Sequence, residues 1–420
     1  MSEVCSVEDR DILRALAEAY ATCSQEKVNK ERAELWAATN ELKPVKVPVF
    51  INELPWHEMN FQGELNLHCQ SEWAKKQEGR LRQLLYLWRH MPGDMVLKPY
   101  MPCQKTIRSS GYGIIEDVDI QKTDQDNSVV SRHFNPQISE EEDLDKIKPA
   151  VVTYDRASTE REYDLLEKVF SDILPVRLVG RKHIWFTPWD NLVRWTGIEE
   201  AMMDLYDRPE FIHEAVRRIV QSDMAKLKQF MELGVLDSDS DSTRVGSGGY
   251  GFNESLNPTE GETVTPEQTW GCSNAQIFSE VSPDMHWEFA LQHDMPWLEQ
   301  FGLNYYGCCE PLHNKVDLLR RIPNLRKVSV SPWCDADKIA KEMGGEVVFS
   351  VKPNPAIFAA DRWNPEQARA EIRKLLDQTR GCAVELIMKD VSTIRRDPSR
   401  LFEWARIAKE EVEATALEMV

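Results

Sequence analysis

The spacing of apolar and polar positions changes along the chain, and the change outlines the fold. Over residues 6–42 apolar side chains recur at helical spacing, with Ile12, Leu13, Leu16, Ala17 and Tyr20 on one face. Ser6 with Asp9 has the form of a capping box at its start. Residues 47–51 read as a first strand, with Pro48 tolerable near its beginning. Residues 71–90 read as another helix, carrying Leu81, Leu84, Leu85 and Trp88. From about residue 303 the pattern becomes regular. Short apolar runs at 303–306, 327–330, 347–351 and 383–388 alternate with helical stretches at 314–321 and 335–343, from Asn364-Pro365, and from near Pro398. Strands alternating with helices indicate parallel βα units, and four in succession leave a doubly wound sheet or a barrel.

The strand ends favour the barrel. They read Cys308-Cys309-Glu310, Ser331-Pro332-Trp333-Cys334, Lys352-Pro353-Asn354-Pro355 and Lys389-Asp390. Each delivers polar or reactive groups at the C-terminal end of its strand, where a barrel builds its active site. No Gly-x-Gly-x-x-Gly follows any strand. The glycine-rich run from Val245 to Gly251 lacks the lysine and serine/threonine spacing of a P-loop, and reads as a tight loop that lets backbone approach a ligand or a strand. The expected fold is therefore α/β: a (β/α)8 TIM-type barrel over 45–420, preceded by a helical N-terminal extension over 1–44.

Composition narrows the function. The chain has 420 residues, 42% apolar and 29% charged, so a large core is possible. Its net charge of −19 opposes nucleic-acid and anionic-membrane partners, which select basic surfaces. There is no run of ~18 apolar residues to span a bilayer, and the N-terminus lacks the order of a signal peptide. A soluble, cytoplasmic protein is expected. Nine scattered cysteines, an odd number, show no disulfide framework. The polar stretch 119–148 reads as a solvated excursion or hairpin, and Asp237 to Asp241 lacks the glycine and closing glutamate of a calcium loop.

Several marks occur in a telling order. Trp189-Asp190 precedes Gly197-Ile198-Glu199-Glu200, and Asp207-Arg208-Pro209-Glu210 opens a helix. Ser282-Pro283 with Glu288-Phe289 comes next, then the strand running into Tyr306-Gly307-Cys308-Cys309-Glu310. Over roughly residues 170–410 the chain thereby resembles the uroporphyrinogen decarboxylase superfamily, which includes corrinoid-dependent methyltransferases. Two departures separate it from the family's patterns. The decarboxylases carry an arginine-rich loop after the first strand that holds the substrate's carboxylates. Here the matching stretch, Val47 to Met59, has no arginine and places Glu53 and Glu58 in its loop, an entrance that would repel a polycarboxylate. The zinc methyltransferases carry His-x-Cys at one strand end and a later cysteine; here Tyr306-Gly307-Cys308 and Lys389-Asp390 stand in those places.

The resemblance implies a methyltransferase that moves a methyl group from a small methylated compound, perhaps a methoxylated aromatic, to the cobalt of a separate corrinoid protein. The cobalt-ligating Asp-x-His-x-x-Gly pattern is absent, so the corrinoid belongs to the partner. A uroporphyrinogen-type decarboxylase acting on a tetrapyrrole or related carboxylated substrate is the alternative. Zinc is an expected cofactor, with Cys308 and Glu310 as first ligands and Cys309 with His313 as another partial set. If the strand continued through both cysteines, they would face opposite ways. Catalytic candidates are Glu280 and Gln276 beside Ser282-Pro283, Glu310, and Asp190 at a pocket rim. Glu280, if buried, could act as a general acid. Trp189, Tyr306, Trp333, Asn354 and Lys389 are the candidate substrate contacts. His286 and His293, seven apart, are expected on one helix face as packing or surface groups.

Overall fold

A computed structural model of the chain describes residues 4–122, 130–256 and 263–418. Helices α1 (Val7–Ser24) and α2 (Lys27–Asn40) come first, broken at Gln25-Glu26 where one continuous helix was expected. Ser6 caps α1 by accepting the Asp9 amide. Asp9 does not complete the box; its carboxylate takes the amides of Gln70 and Ser71 and so anchors the start of α3 (Glu72–His90).

The strands are β1 (Val49–Ile51), β2 (Met101–Gln104), β3 (Ile107–Ser109), β4 (Val118–Gln121), β5 (Ser131–Phe134), β6 (Val152–Tyr154), β7 (Val176–Val179), β8 (Trp270–Ser273), β9 (Leu303–Tyr306), β10 (Leu325–Val330), β11 (Val348–Val351) and β12 (Ala383–Met388). Six of them form one parallel sheet in the order β1-β12-β11-β10-β9-β8. The first strand thus lies beside the last, and β8 to β12 follow one another as βα units. The acidic stretch supplies the antiparallel pair β4–β5, a hairpin of the kind expected, with its tip outside the described residues.

The sheet does not close. Strand β2 pairs in parallel with β7, and Arg181 just beyond β7 bridges Leu236. The circuit then reaches β8 through a side chain, because the Asp239 carboxylate accepts the Trp270 amide. Among the described residues no ladder joins β1 to β2. Pro102 supplies the reason. The amides of Met101 and Lys105 bond to Pro175 and Val179, so odd-numbered positions of β2 face β7. Position 102 faces the seam, and proline has no N–H to offer there. The fold is α/β with a mostly parallel central sheet, as expected, and the closed eight-stranded barrel is not confirmed, because among the described residues the sheet stays open.

Alternate residues of the sheet face opposite ways. Val328, Val330, Phe349, Val351, Leu386 and Met388 join the main apolar core under the helices. The other face presents Tyr305, Lys327, Ser329, Ser350 and Glu385, all fully buried. These polar groups are satisfied by the loop from Val245 to Gly251, which fills the hollow of the sheet. The Gly249 amide donates to Glu385, Lys327 donates to the Tyr250 carbonyl, and Ser247 meets the Tyr305 hydroxyl. A Cβ on Gly248 would run into Glu385, Ser350 and Tyr305. The glycines are there for close backbone approach to strands, as the sequence suggested. Trp36 of α2 seals the hollow from below, its indole donating to the Asp94 carbonyl.

Candidate functional site

Because β9 to β12 run parallel and in register, Cys308, Trp333, Lys352, Asn354 and Lys389 all emerge at one edge of the sheet. Strand β9 stops at Tyr306 because Gly307 turns the backbone to φ +96°. The cysteines therefore do not alternate across a strand as expected. Their sulfurs lie on the same side, 3.7 Å apart, with Cys308 only 6% exposed and Cys309 open to solvent.

Lys352 is the centre of the cluster. Its buried ammonium donates to Ser247 Oγ (2.6 Å), Ser329 Oγ (2.6 Å) and the Cys308 carbonyl (3.0 Å). All three acceptors are neutral, so burial dominates and pulls the pKa down to about 8. The Cys308 thiol is drawn below its ordinary value, first by the hydrogen bond from Cys309 and then by Lys352 and Lys389. Lys389 stays firmly charged: burial opposes this, but Cys308, Glu53 and Asp390 outweigh it. Its Nζ lies 3.2 Å from Glu53 and 2.7 Å from Asp390. His183 anchors the glycine loop. Its Nε2 accepts the Gly246 amide, so Nδ1 carries the proton and donates to the Trp270 carbonyl. Burial keeps this ring neutral, with a pKa of about 4.

The two glutamates of the first loop are not free entrance charges, which corrects the acidic-entrance expectation. Glu53 is ion-paired to Arg244 and Lys389, and despite burial these partners and Asp390 hold it down at about 2. Glu58 ties down the segment after β12, accepting from Thr393 and the amides of Ile394 and Arg396.

The other candidates scatter. Glu310 is fully buried, but its oxygens accept the amides of Ala275 (3.1 Å) and Cys308 (2.8 Å), so it holds the β9 turn. Burial raises its pKa. Among the described residues no three His, Cys, Asp or Glu side chains converge where a metal ion could sit. With Glu310 committed to backbone amides, Cys308 and Glu310 do not fit the three-ligand set of a catalytic zinc. His313 accepts the Asp335 amide instead of meeting Cys309. Gln276 and Asp190 do come together, the amide donating to both carboxylate oxygens at 2.9 Å, and burial raises Asp190. Glu280 is exposed, so the condition of burial on which its general-acid role rested is not met. Trp189 lies in the core, donating to the Phe289 carbonyl. Tyr306 points to the helix side, against His286 at 2.6 Å, and it is Tyr305 that faces the hollow. Trp333 stands 70% exposed, and Asn354 caps the turn that follows it. His286 and His293 do not share a face, because the intervening turn Trp287–Leu291 is π-helical and shifts the phase. His293 meets His213 at 2.9 Å.

Sequence reading placed Lys352 at a strand end without a role, and missed Ser247, Ser329 and the buried Lys327–Glu385 pair at 2.8 Å. A signal existed. Glu385 sits inside an otherwise apolar strand, and charged residues are almost never fully buried unless paired.

No family model matches the chain, and no curated protein matches it. Among solved structures it is similar to a methyltransferase from Methanosarcina mazei, with a TM-score of 0.49 and 12% identity, over 90% of this chain and 98% of that one. No helix among the described residues is long and apolar enough to cross a membrane.

Proposed function

We propose that the chain is a methyltransferase that takes a methyl group from a small methylated compound, a methoxylated aromatic for example, for delivery to the cobalt of a separate corrinoid protein. The observation that carries this reading is Lys352, a buried ammonium held by neutral acceptors beside the Cys308 thiol at the C-terminal sheet edge. When a methyl–oxygen bond breaks, the oxygen keeps the electron pair and takes up a proton. A lysine with a pKa of about 8 can give that proton near neutral pH, by exchanging one of its three protein acceptors for the departing oxygen, and recover it from water. Lys389 supplies a fixed positive charge, and the Cys308 thiol, drawn toward thiolate, favours the charged form of Lys352 before transfer. The corrinoid, on its partner protein, supplies the methyl acceptor.

A decarboxylase is the second reading, favoured by one observation: Glu53 is neutralised, so the mouth does not repel a carboxylate through that residue. Incubation with reduced cobalamin and a panel of methoxylated and methylamine compounds separates the two. Methylation of cobalt, seen as a spectral change and lost in Lys352→Met, is the expected result. Consumption of uroporphyrinogen without any cobalt change would replace the first reading by the second.

A further inference from the structure

A cavity of about 380 Å³ lies where β1 and β2 fail to pair, lined by Trp56 after β1, by Pro102 and Gln104 of β2, and by α3. The size is that of a small-molecule site. Three cations line it: Arg80, Lys98 and Lys182. Lys98 (2.9 Å) and Lys182 both pair with the same oxygen of Asp241. Asp237 also acts on Lys182, but its own oxygens hold the amides of Gly180 and Ser238. Arg80 has neither a hydrogen bond nor an ion pair among the described residues. It keeps solvent contact, yet enough protein surrounds it that burial lowers its pKa. The lining is also apolar, with Leu84 and Leu87 on the same face of α3 as Arg80 and with Met95 and Leu97, and the cavity continues into an adjoining one of about 230 Å³ that shares Trp56 and Tyr250.

One unpaired guanidinium, two lysines sharing a single carboxylate, and an apolar stretch that begins one turn from the guanidinium complement a molecule that is charged at one end only. We infer that this cavity binds a small organic monocarboxylate with an apolar body, its carboxylate on Arg80 and its body along Leu84 and Leu87 of the same helix. The inference stands on the cavity and not on methyl transfer.

The test is equilibrium binding to the full chain by titration calorimetry, with no cobalt present. The probes are benzoate, 4-methoxybenzoate and octanoate, each beside its neutral amide. At least one acid should bind at least about tenfold tighter than its amide. Arg80→Gln breaks no native bond, and should erase that preference while leaving the amide's affinity unchanged. The inference is overturned if no acid binds at millimolar concentration or none is preferred to its amide. It is equally overturned if Arg80→Gln leaves the preference intact or weakens acid and amide alike. A chain that binds the acid selectively yet never methylates cobalt would sink the proposed reaction and leave this site standing.

Discussion

Two buried titratable side chains at the residue scale have opposite linkage to stability. Lys352 is surrounded by neutral oxygens, so its folded pKa of about 8 lies below the ordinary 10.5. Between those values the unfolded chain binds more protons, and stability rises with pH. Asp294 is the reverse. It is fully buried, with one oxygen on Ser273 and the other without a partner, and burial lifts it to about 8 from 3.8. Over that interval the folded state holds the extra proton, so stability falls as pH rises. Asp294→Asn should flatten the fall in urea unfolding between about pH 4 and pH 8; an unchanged slope would show that Asp294 titrates normally. Lys352 also acts on its neighbour. Replacing it with Met removes a cation facing Cys308, and the pH profile of Cys308 alkylation should move up by about one unit. Cys309 shares the turn, so mass-spectrometric assignment of the alkylated residue is part of that measurement.

The elements whose order the sequence revealed are those with strict periodicity: the βα units from β9 onward and helix α3. Local pattern suffices there, because each strand is a short apolar run between capped helices. The seam, the plugged hollow and the π-turn were not legible, because each depends on partners far away in the chain. Pro102 reads as an ordinary edge residue until β7 fixes which way its neighbours' amides point. The site was legible to the same degree. Strand-end rules found Cys308 and Lys389, but Lys352 owes its character to Ser247, a hundred residues earlier in the chain. The plug makes a prediction at this scale. Gly248→Ala should destabilise by roughly 1–3 kcal/mol in urea unfolding, because strands on three sides leave no room for a methyl group. Lys327→Met strands Glu385 without its cation and should cost about 3–5 kcal/mol, while joint replacement of the pair by apolar residues recovers much of it. A mild effect of the single change would mean that water reaches the pair.

Across the whole molecule the net charge of −19 and the local field at the sheet edge point in different directions. A chain this acidic would be expected to repel anions, with salt improving their binding. The cations that matter here sit within a few ångströms of the cavity, inside the ~8–10 Å over which charges act at ordinary ionic strength, so salt should weaken the binding of an organic acid. The same count of charges speaks against uroporphyrinogen. Arg244 and Lys389 are engaged by Glu53, and Lys98 and Lys182 by Asp241, which leaves Arg80 as the one cation of these five without an acidic partner. A substrate with many carboxylates would bury several of them unpaired, and each unpaired buried charge is costly. The obstacle is therefore a shortage of free cations, not repulsion by Glu53 and Glu58. The chain is expected to show no turnover of uroporphyrinogen at any salt concentration, and Glu53→Gln, which releases Arg244 while Asp390 keeps Lys389, should improve binding of a dicarboxylate more than that of a monocarboxylate. Steady decarboxylation of uroporphyrinogen by the unmodified chain would show that these ion pairs open to the substrate, and would move the second functional reading ahead of the first.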